Sequence, residues 1–223
     1  MTKAKRGKLI VIDGIDGSGK ATQTRLLFDR FKRAGVKVKK IDFPRYYDNF
    51  FGQLIGEYLS GRYGDFIKVD PRIASVLFAA DRFESSAEIK KWLAAGYVVL
   101  ADRYVSANQI HQGGKIKSGK ERQKFLRWLD EMEYGVFALP QPDVVVYLDV
   151  PYQVSQKWLE KKKKDVAENN LVYLKQSRQC ALGLAKTNKN WHKIECCQGN
   201  VCLSPKQIHE QVFAIVKGYA IKG

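Results

Sequence analysis

Gly14-Ile15-Asp16-Gly17-Ser18-Gly19-Lys20 sets a glycine, four residues, a glycine and a lysine between an apolar run and a helix-forming stretch. Glycines let a backbone curl until successive N–H groups point inward, and a helix start adds its positive end. With a lysine reaching over them, such loops cradle the phosphates of a nucleoside triphosphate. The cradle is expected to run on through Ala21 and Thr22. The strict pattern has Ser or Thr directly after the lysine, as a Mg²⁺ ligand, whereas this chain has Ala21, with Thr22 one step later. A metal here would rest on phosphates, water and carboxylates. Asp16, inside the loop, and Asp102, at the end of a later strand, are the candidates.

A phosphate loop specifies a donor; the acceptor has to be read from other residues. Phe43-Pro44-Arg45 follows the second expected strand. Phe78 and Arg82 stand four apart on a helix, hence on one face. Asp102-Arg103-Tyr104 follows the third strand, with Asn108 and His111 downstream. Arginine forks match phosphate oxygens, an aromatic ring stacks on a base, and an amide reads a base edge. Singly, each has an ordinary structural use: Phe78 as core, Arg82 as an ion-pair partner, Phe43 as a plug at a strand end. Together they are a set that could hold a nucleotide.

These elements resemble the thymidylate kinase family. The matching stretches are Asp13 to Lys20, Phe43-Pro44-Arg45, Leu77-Phe78-Ala79-Ala80-Asp81-Arg82, Asp102-Arg103-Tyr104 and Pro142-Asp143 before Val144–Asp149. The likeness extends from about Lys8 to the last helix. It implies transfer of the ATP γ-phosphate to dTMP, with Mg²⁺, by Lys20, Asp16, Arg103 and Arg45. It places Phe43, Arg45, Phe78, Arg82, Arg103, Asn108 and His111 around dTMP, with Phe78 stacked on thymine. It also implies a homodimer and a lid at about residues 153–170. Two positions depart from the family. No arginine stands in the phosphate loop or the lid, where Lys161, Lys162, Lys163 and Lys164 stand instead, and His111 replaces a tyrosine or phenylalanine. Another nucleoside or nucleoside monophosphate kinase, or a non-catalytic P-loop protein that binds nucleotide or nucleic acid, remains open at this point.

The elements that must position these residues follow from local pattern. Short apolar runs at Lys8–Asp13, Val36–Phe43, Tyr97–Asp102, Val144–Asp149 and Trp191–Cys196 read as strands, the fully apolar ones as buried parallel strands. Helices are expected over Lys20–Ala34, Phe50–Ser60, from Pro71, over Ser86–Ala95, Ser106–Gln112, Lys120–Glu133, Val154–Lys164, Asn169–Ala185 and from Pro205. Alternating strands and helices predict an α/β P-loop kinase fold, with a five-stranded parallel sheet between helices and ligands at its carboxyl edge. The chain reads as a single domain of 223 residues with a basic arm at 1–7.

Thirty-nine basic against 23 acidic residues give a net charge of +16. That suits phosphorylated ligands; with no nucleic-acid-binding module beside it, nucleic acid is not the expected partner. No apolar run approaches the ~18 residues of a membrane span, and no signal peptide is read, so a cytoplasmic location is expected. Cys180, Cys196, Cys197 and Cys202 show no metal spacing and are expected as reduced, partly buried residues. The turn Gln198-Gly199-Asn200 is a candidate for the adenine.

Overall fold

The computed structural model describes residues 6–159, 170–199 and 201–220. The elements run β1 Lys8–Asp13, α1 Lys20–Arg33, β2 Val38–Asp42, α2 Phe50–Leu59, a 3₁₀ turn Phe66–Lys68, α3 Pro71–Glu84, α4 Ser86–Ala94 and β3 Val98–Asp102. There follow α5 Val105–Gly114, α6 Gly119–Asp130 with a π-helical turn Glu131–Val136, β4 Val144–Asp149, α7 Tyr152–Leu159 and α8 Leu171–Thr187. Last come β5 Trp191–Glu195, β6 Cys197–Gln198, β7 Val201–Cys202 and α9 Pro205–Ala220.

Five strands form one parallel sheet in the order β2-β3-β1-β4-β5. Side chains of β1 alternate between its two faces: Leu9 and Val11 pack with α4, α5 and α8, while Ile10 and Ile12 pack with Leu27 and Phe31 of α1 and Val212 and Val216 of α9. With apolar surface buried on both faces, the sheet is helix-covered as all-parallel sheets require. A third apolar cluster, built on Ile55, Phe66, Ala74 and Tyr173, lies beyond the sheet between α2, α3 and α8.

Register is set by polar staples as well as by apolar pattern. The Pro142-Asp143 element is one. Asp143 accepts from the Leu9 N–H at 2.9 Å and from Lys8 Nζ at 2.7 Å, fastening the start of β4 to the start of β1. The register Ile12↔Asp102 then brings the carboxyl ends of β1 and β3 side by side.

Caps explain several boundaries. Asp70 accepts from the Arg72 N–H ahead of Pro71, and Ser204 and Gln207 cap α9 reciprocally. Ser85 and Glu88 have the spacing of a capping box, but none forms. Ser85 is the residue where α3 ends and α4 begins, in helical geometry, and so has no free helix start to cap. The expected Lys120–Glu133 helix ends at Asp130 and widens into the π turn.

The expectation of reduced cysteines holds for Cys180 and Cys196, which are buried and free, and is corrected for the other two. Cys197 and Cys202 form a disulfide. The β6–β7 ribbon sets them directly opposite one another, Cα atoms 3.9 Å apart, a cross-strand pairing that spacing alone does not reveal. Of the basic arm, Arg6 and Gly7 are described. Most of the lid, including Lys161, Lys162, Lys163 and Lys164, lies outside the described residues.

Candidate active site

The phosphate loop curls tightly after β1. A Cβ on Gly14 would stand 2.4 Å from Ser18 Oγ and 2.8 Å from the Leu148 carbonyl, so only glycine fits there. Gly19 turns into α1 at φ +88°, in the left-handed region. Asp13 braces the loop, accepting from the Gly14 N–H at 2.8 Å and from Ser106 Oγ at 2.5 Å. Lys20 lies folded over the loop, donating to the carbonyls of Gly14 and Ile15 at 2.8 and 2.9 Å. Phosphate oxygens are acceptors of the same kind, with more charge, so a bound polyphosphate would take over those donors.

Charge is dense here. Arg103 pairs with Asp16, and Lys20 Nζ is 3.8 Å from the same carboxylate. Burial pushes the Asp16 carboxyl up, but Arg103 and Lys20 together outweigh it and hold the group well below the usual carboxylate range. Asp102 goes the other way. Burial raises it, against the pull of Arg103 and Lys20, and its Oδ1 is buried without a hydrogen-bond partner. Arg103 adopts φ 62°, unusual for a side-chain-bearing residue, while its N–H donates to the Ile12 carbonyl at 3.0 Å.

Beside this cluster lies a half-open pocket with polar and apolar residues in its lining. Phe43, Phe78, Arg82, Arg103, Asn108 and His111 line it, with Asp16. The expected acceptor residues are thus brought together from the segments just after β2 and β3 and from α3 and α5, with the exception of Arg45. The Arg45 guanidinium turns to Asp48 at 3.1 and 3.2 Å and to Ser85 at 3.4 Å. Arg82 is buried and engages Glu133 through Nε and Nη2 at 2.6 and 2.7 Å.

Several lining and bracing residues have no signal in the sequence. Tyr46, Leu59, Phe66, Gln112 and Tyr173 complete the wall. Phe66 meets Phe78 edge-on, centroids 5.6 Å apart. Lys115 ties down the Phe66 turn, donating to the Phe66 and Val69 carbonyls at 3.2 Å, and burial pushes its ammonium down to about 8. Asp81 supports the loop after β2, accepting from the Arg45 N–H at 3.3 Å and from Asn49 at 2.8 Å. A family motif containing Asp81-Arg82 carries the only hint of that role.

The thymidylate kinase family model matches residues 12–208. The chain belongs to the thymidylate kinase family. It is 33% identical to a probable thymidylate kinase of Pyrococcus abyssi, over 95% of this chain and 97% of that one. Identity to a thymidylate kinase of Thermosipho melanesiensis is 32%, over 83% and 88%. Among solved structures, the thymidylate kinase of Candida albicans superposes with a TM-score of 0.75 at 25% identity, covering 96% of this chain and 92% of that one. Its α/β sheet is the P-loop kinase fold of the family.

The surroundings of His111 determine its charge state. Its ring stacks on Tyr173 at 5.8 Å and its Nδ1 is buried without a partner. Burial, joined by Arg103 and Lys20, holds the imidazole down at about 4 against the opposing pull of Asp16, so it is neutral at pH 7. An unfolded histidine titrates near 6.5, so between about pH 6.5 and 4 the unfolded chain binds the extra proton and stability falls as pH falls. His111→Phe keeps the stack and removes that titration. Its urea midpoint, relative to the parent's, is expected to rise steadily as pH drops from 6.5 to 4. A constant offset across that window would mean that His111 titrates as it does in the unfolded chain.

Proposed function

We propose that the chain transfers the γ-phosphate of ATP to dTMP, giving dTDP and ADP, as a step toward dTTP. The observation that carries this reading is the cavity in which Phe78, Arg82, Asn108 and His111 stand on the same wall as Arg103 and Asp16, beside Lys20. Phosphoryl transfer asks little covalent chemistry of a protein; alignment and charge neutralisation carry the rate. Lys20, released from its loop carbonyls, neutralises charge on the donor phosphates. Arg103 holds the acceptor phosphate toward them, its guanidinium aimed by Asp16. Arg45, whose salt-bridge partners Asp48 and Glu88 are exposed, swings in beside it. The phosphate loop from Gly14 through Ile15, Gly17, Ser18, Gly19, Ala21 and Thr22 holds the ATP phosphates.

The residues fit a magnesium ion held mostly by its substrate. Asp102 offers a buried carboxylate oxygen without a partner, and Asp16 stands near. No cluster of three or more ligating side chains forms among the described residues. Mg²⁺ binds through one or two carboxylates, waters and phosphate oxygens, which is the donor set available here. When bound it supplies charge neutralisation between the two nucleotides.

Initial rates with ATP and a panel of acceptors test the reading. The expected order is dTMP first, dUMP next, then dCMP and purine monophosphates far behind. Loss of one methyl costs on the order of 1 kcal/mol, against roughly 1–3 kcal/mol for each mismatched buried polar group. Lys20→Ala is expected to abolish turnover while the protein stays folded. Comparable kcat/KM for dTMP and dCMP would refute the pocket. The lid lysines stand in for the family's arginine. Replacing Lys161 to Lys164 with Gln is then expected to lower kcat more than it raises KM for dTMP, and an unchanged kcat would make the run a solvated surface.

The homodimer belongs to the same proposal, together with a cytoplasmic location alongside the nucleotide pools. Ile73, Val76 and Phe83 recur along one side of α3 and are exposed, with Val136 exposed as well. Phe83 meets Phe137 at 5.2 Å, extending the apolar surface. Ile73→Asp with Phe83→Asp is expected to shift the sedimenting species to the 25.4 kDa of one chain, and an unchanged mass would move the interface elsewhere.

A further inference from the structure

Glu133 has no exposed surface, sits on the π-helical turn after α6, and accepts three hydrogen bonds. Its Oε2 takes Arg82 Nε at 2.6 Å. Its Oε1 takes Arg82 Nη2 at 2.7 Å and Asn108 Nδ2 at 2.8 Å. Asn108 Nδ2 also donates to the backbone carbonyl of Ser75 at 3.1 Å. An asparagine amide has two hydrogens, and both are turned into the protein. The atom Asn108 has left for a ligand in the cavity is therefore Oδ1, an acceptor. Arg82, engaged through Nε and one Nη2 hydrogen, keeps its other Nη2 hydrogen and both on Nη1, so whatever it has left is a donor.

We propose that Glu133 is a positioning residue for base choice: it locks Asn108 with its oxygen and Arg82 with a remaining N–H toward the cavity, selecting a base with a ring N–H beside a carbonyl. This rests on the dTMP reading of the site. Thymine and uracil carry a ring N–H next to a carbonyl and complement that pair. Cytosine carries a bare ring nitrogen next to an amino group and mismatches both partners. A carboxylate cannot donate a hydrogen bond. Rotating Asn108 to accommodate cytosine would set Oδ1 against Glu133 Oε1 and against the Ser75 carbonyl, two acceptor–acceptor contacts in a buried site. The discrimination is thus made by a residue behind the pocket wall.

The test is kcat/KM for dTMP and dCMP in the parent, Glu133→Gln and Glu133→Asp, each checked by thermal melting. A Gln amide at this position can donate to a rotated Asn108, so Glu133→Gln is expected to lower the dTMP:dCMP ratio at least tenfold, mainly through the KM values. Glu133→Asp keeps a negative charge beside Arg82 but withdraws the carboxylate by one methylene, and a fall of threefold or more is expected. A merely structural role would depress both acceptors together. A ratio within twofold of the parent in every variant that folds overturns the proposal. Should neither variant fold, hydrogen exchange of the Asn108 side-chain amide decides on the parent. Slow exchange of both protons without dTMP supports the lock; exchange at the rate of an exposed asparagine overturns it. A parent that does not prefer dTMP to dCMP would instead remove the dTMP reading itself, leaving the two failures distinguishable.

Discussion

Two cations and three carboxylates share the carboxyl ends of β1 and β3, and each is tolerable there only because of the others. Lys20 and Arg103 face Asp13, Asp16 and Asp102 where solvent is largely excluded. An isolated buried charge costs far more than the structure could offset, so these groups must be paired or hydrogen-bonded. Burial draws the Lys20 ammonium down, as does Arg103, while the neighbouring aspartates pull it back. The arrangement suits an incoming polyanion. Phosphate oxygens would take over from the loop carbonyls that now occupy Lys20, so the cation need not pass through water to find its partner.

That balance depends on strand register. Ile12 lies opposite Asp102, and the Arg103 N–H closes onto the Ile12 carbonyl, which sets Arg103 beside the phosphate loop. Its left-handed backbone costs about 1–3 kcal/mol, sustained because the sheet edge on one side and Asp16 on the other hold it. A second irregularity, the π turn after α6, carries Glu133 into the interior toward Arg82 and Asn108. Single π turns inside helices are rare and concentrate at functional sites. Each of these two departures from regular backbone holds a polar anchor of the site.

The positive charge of the chain is used at more than one level. Arg30 stacks on the Phe213 ring at 3.4 Å while pairing with Glu210, joining α1 to α9. Lys39 lies over Trp92 and Tyr97 at 5.6 and 5.5 Å. Such cations cover apolar surface with their aliphatic stems. The remaining positive charge would attract anionic ligands toward the crevice.

Strand and helix positions were legible in the sequence because their signals are local. Apolar runs between glycines, proline after an N-cap, and the glycine spacing before Lys20 each act over a few residues, and where the boundaries they implied fall among the described residues they lie within a few positions of those observed. The face shared by Phe78 and Arg82 was legible for the same reason, being one helical turn. The partners of those residues were not. Arg82 meets Glu133 across 51 positions, Asp13 meets Ser106 across 93, and Cys197 meets Cys202 only because a two-strand ribbon sets its register. A residue type and its local spacing determine which donors and acceptors a position offers. Which of them are consumed inside the protein and which are left to a ligand depends on contacts made only once the sheet, α3, α5 and the π turn have packed together, since a buried polar group must take whatever partner the closed interior brings to it.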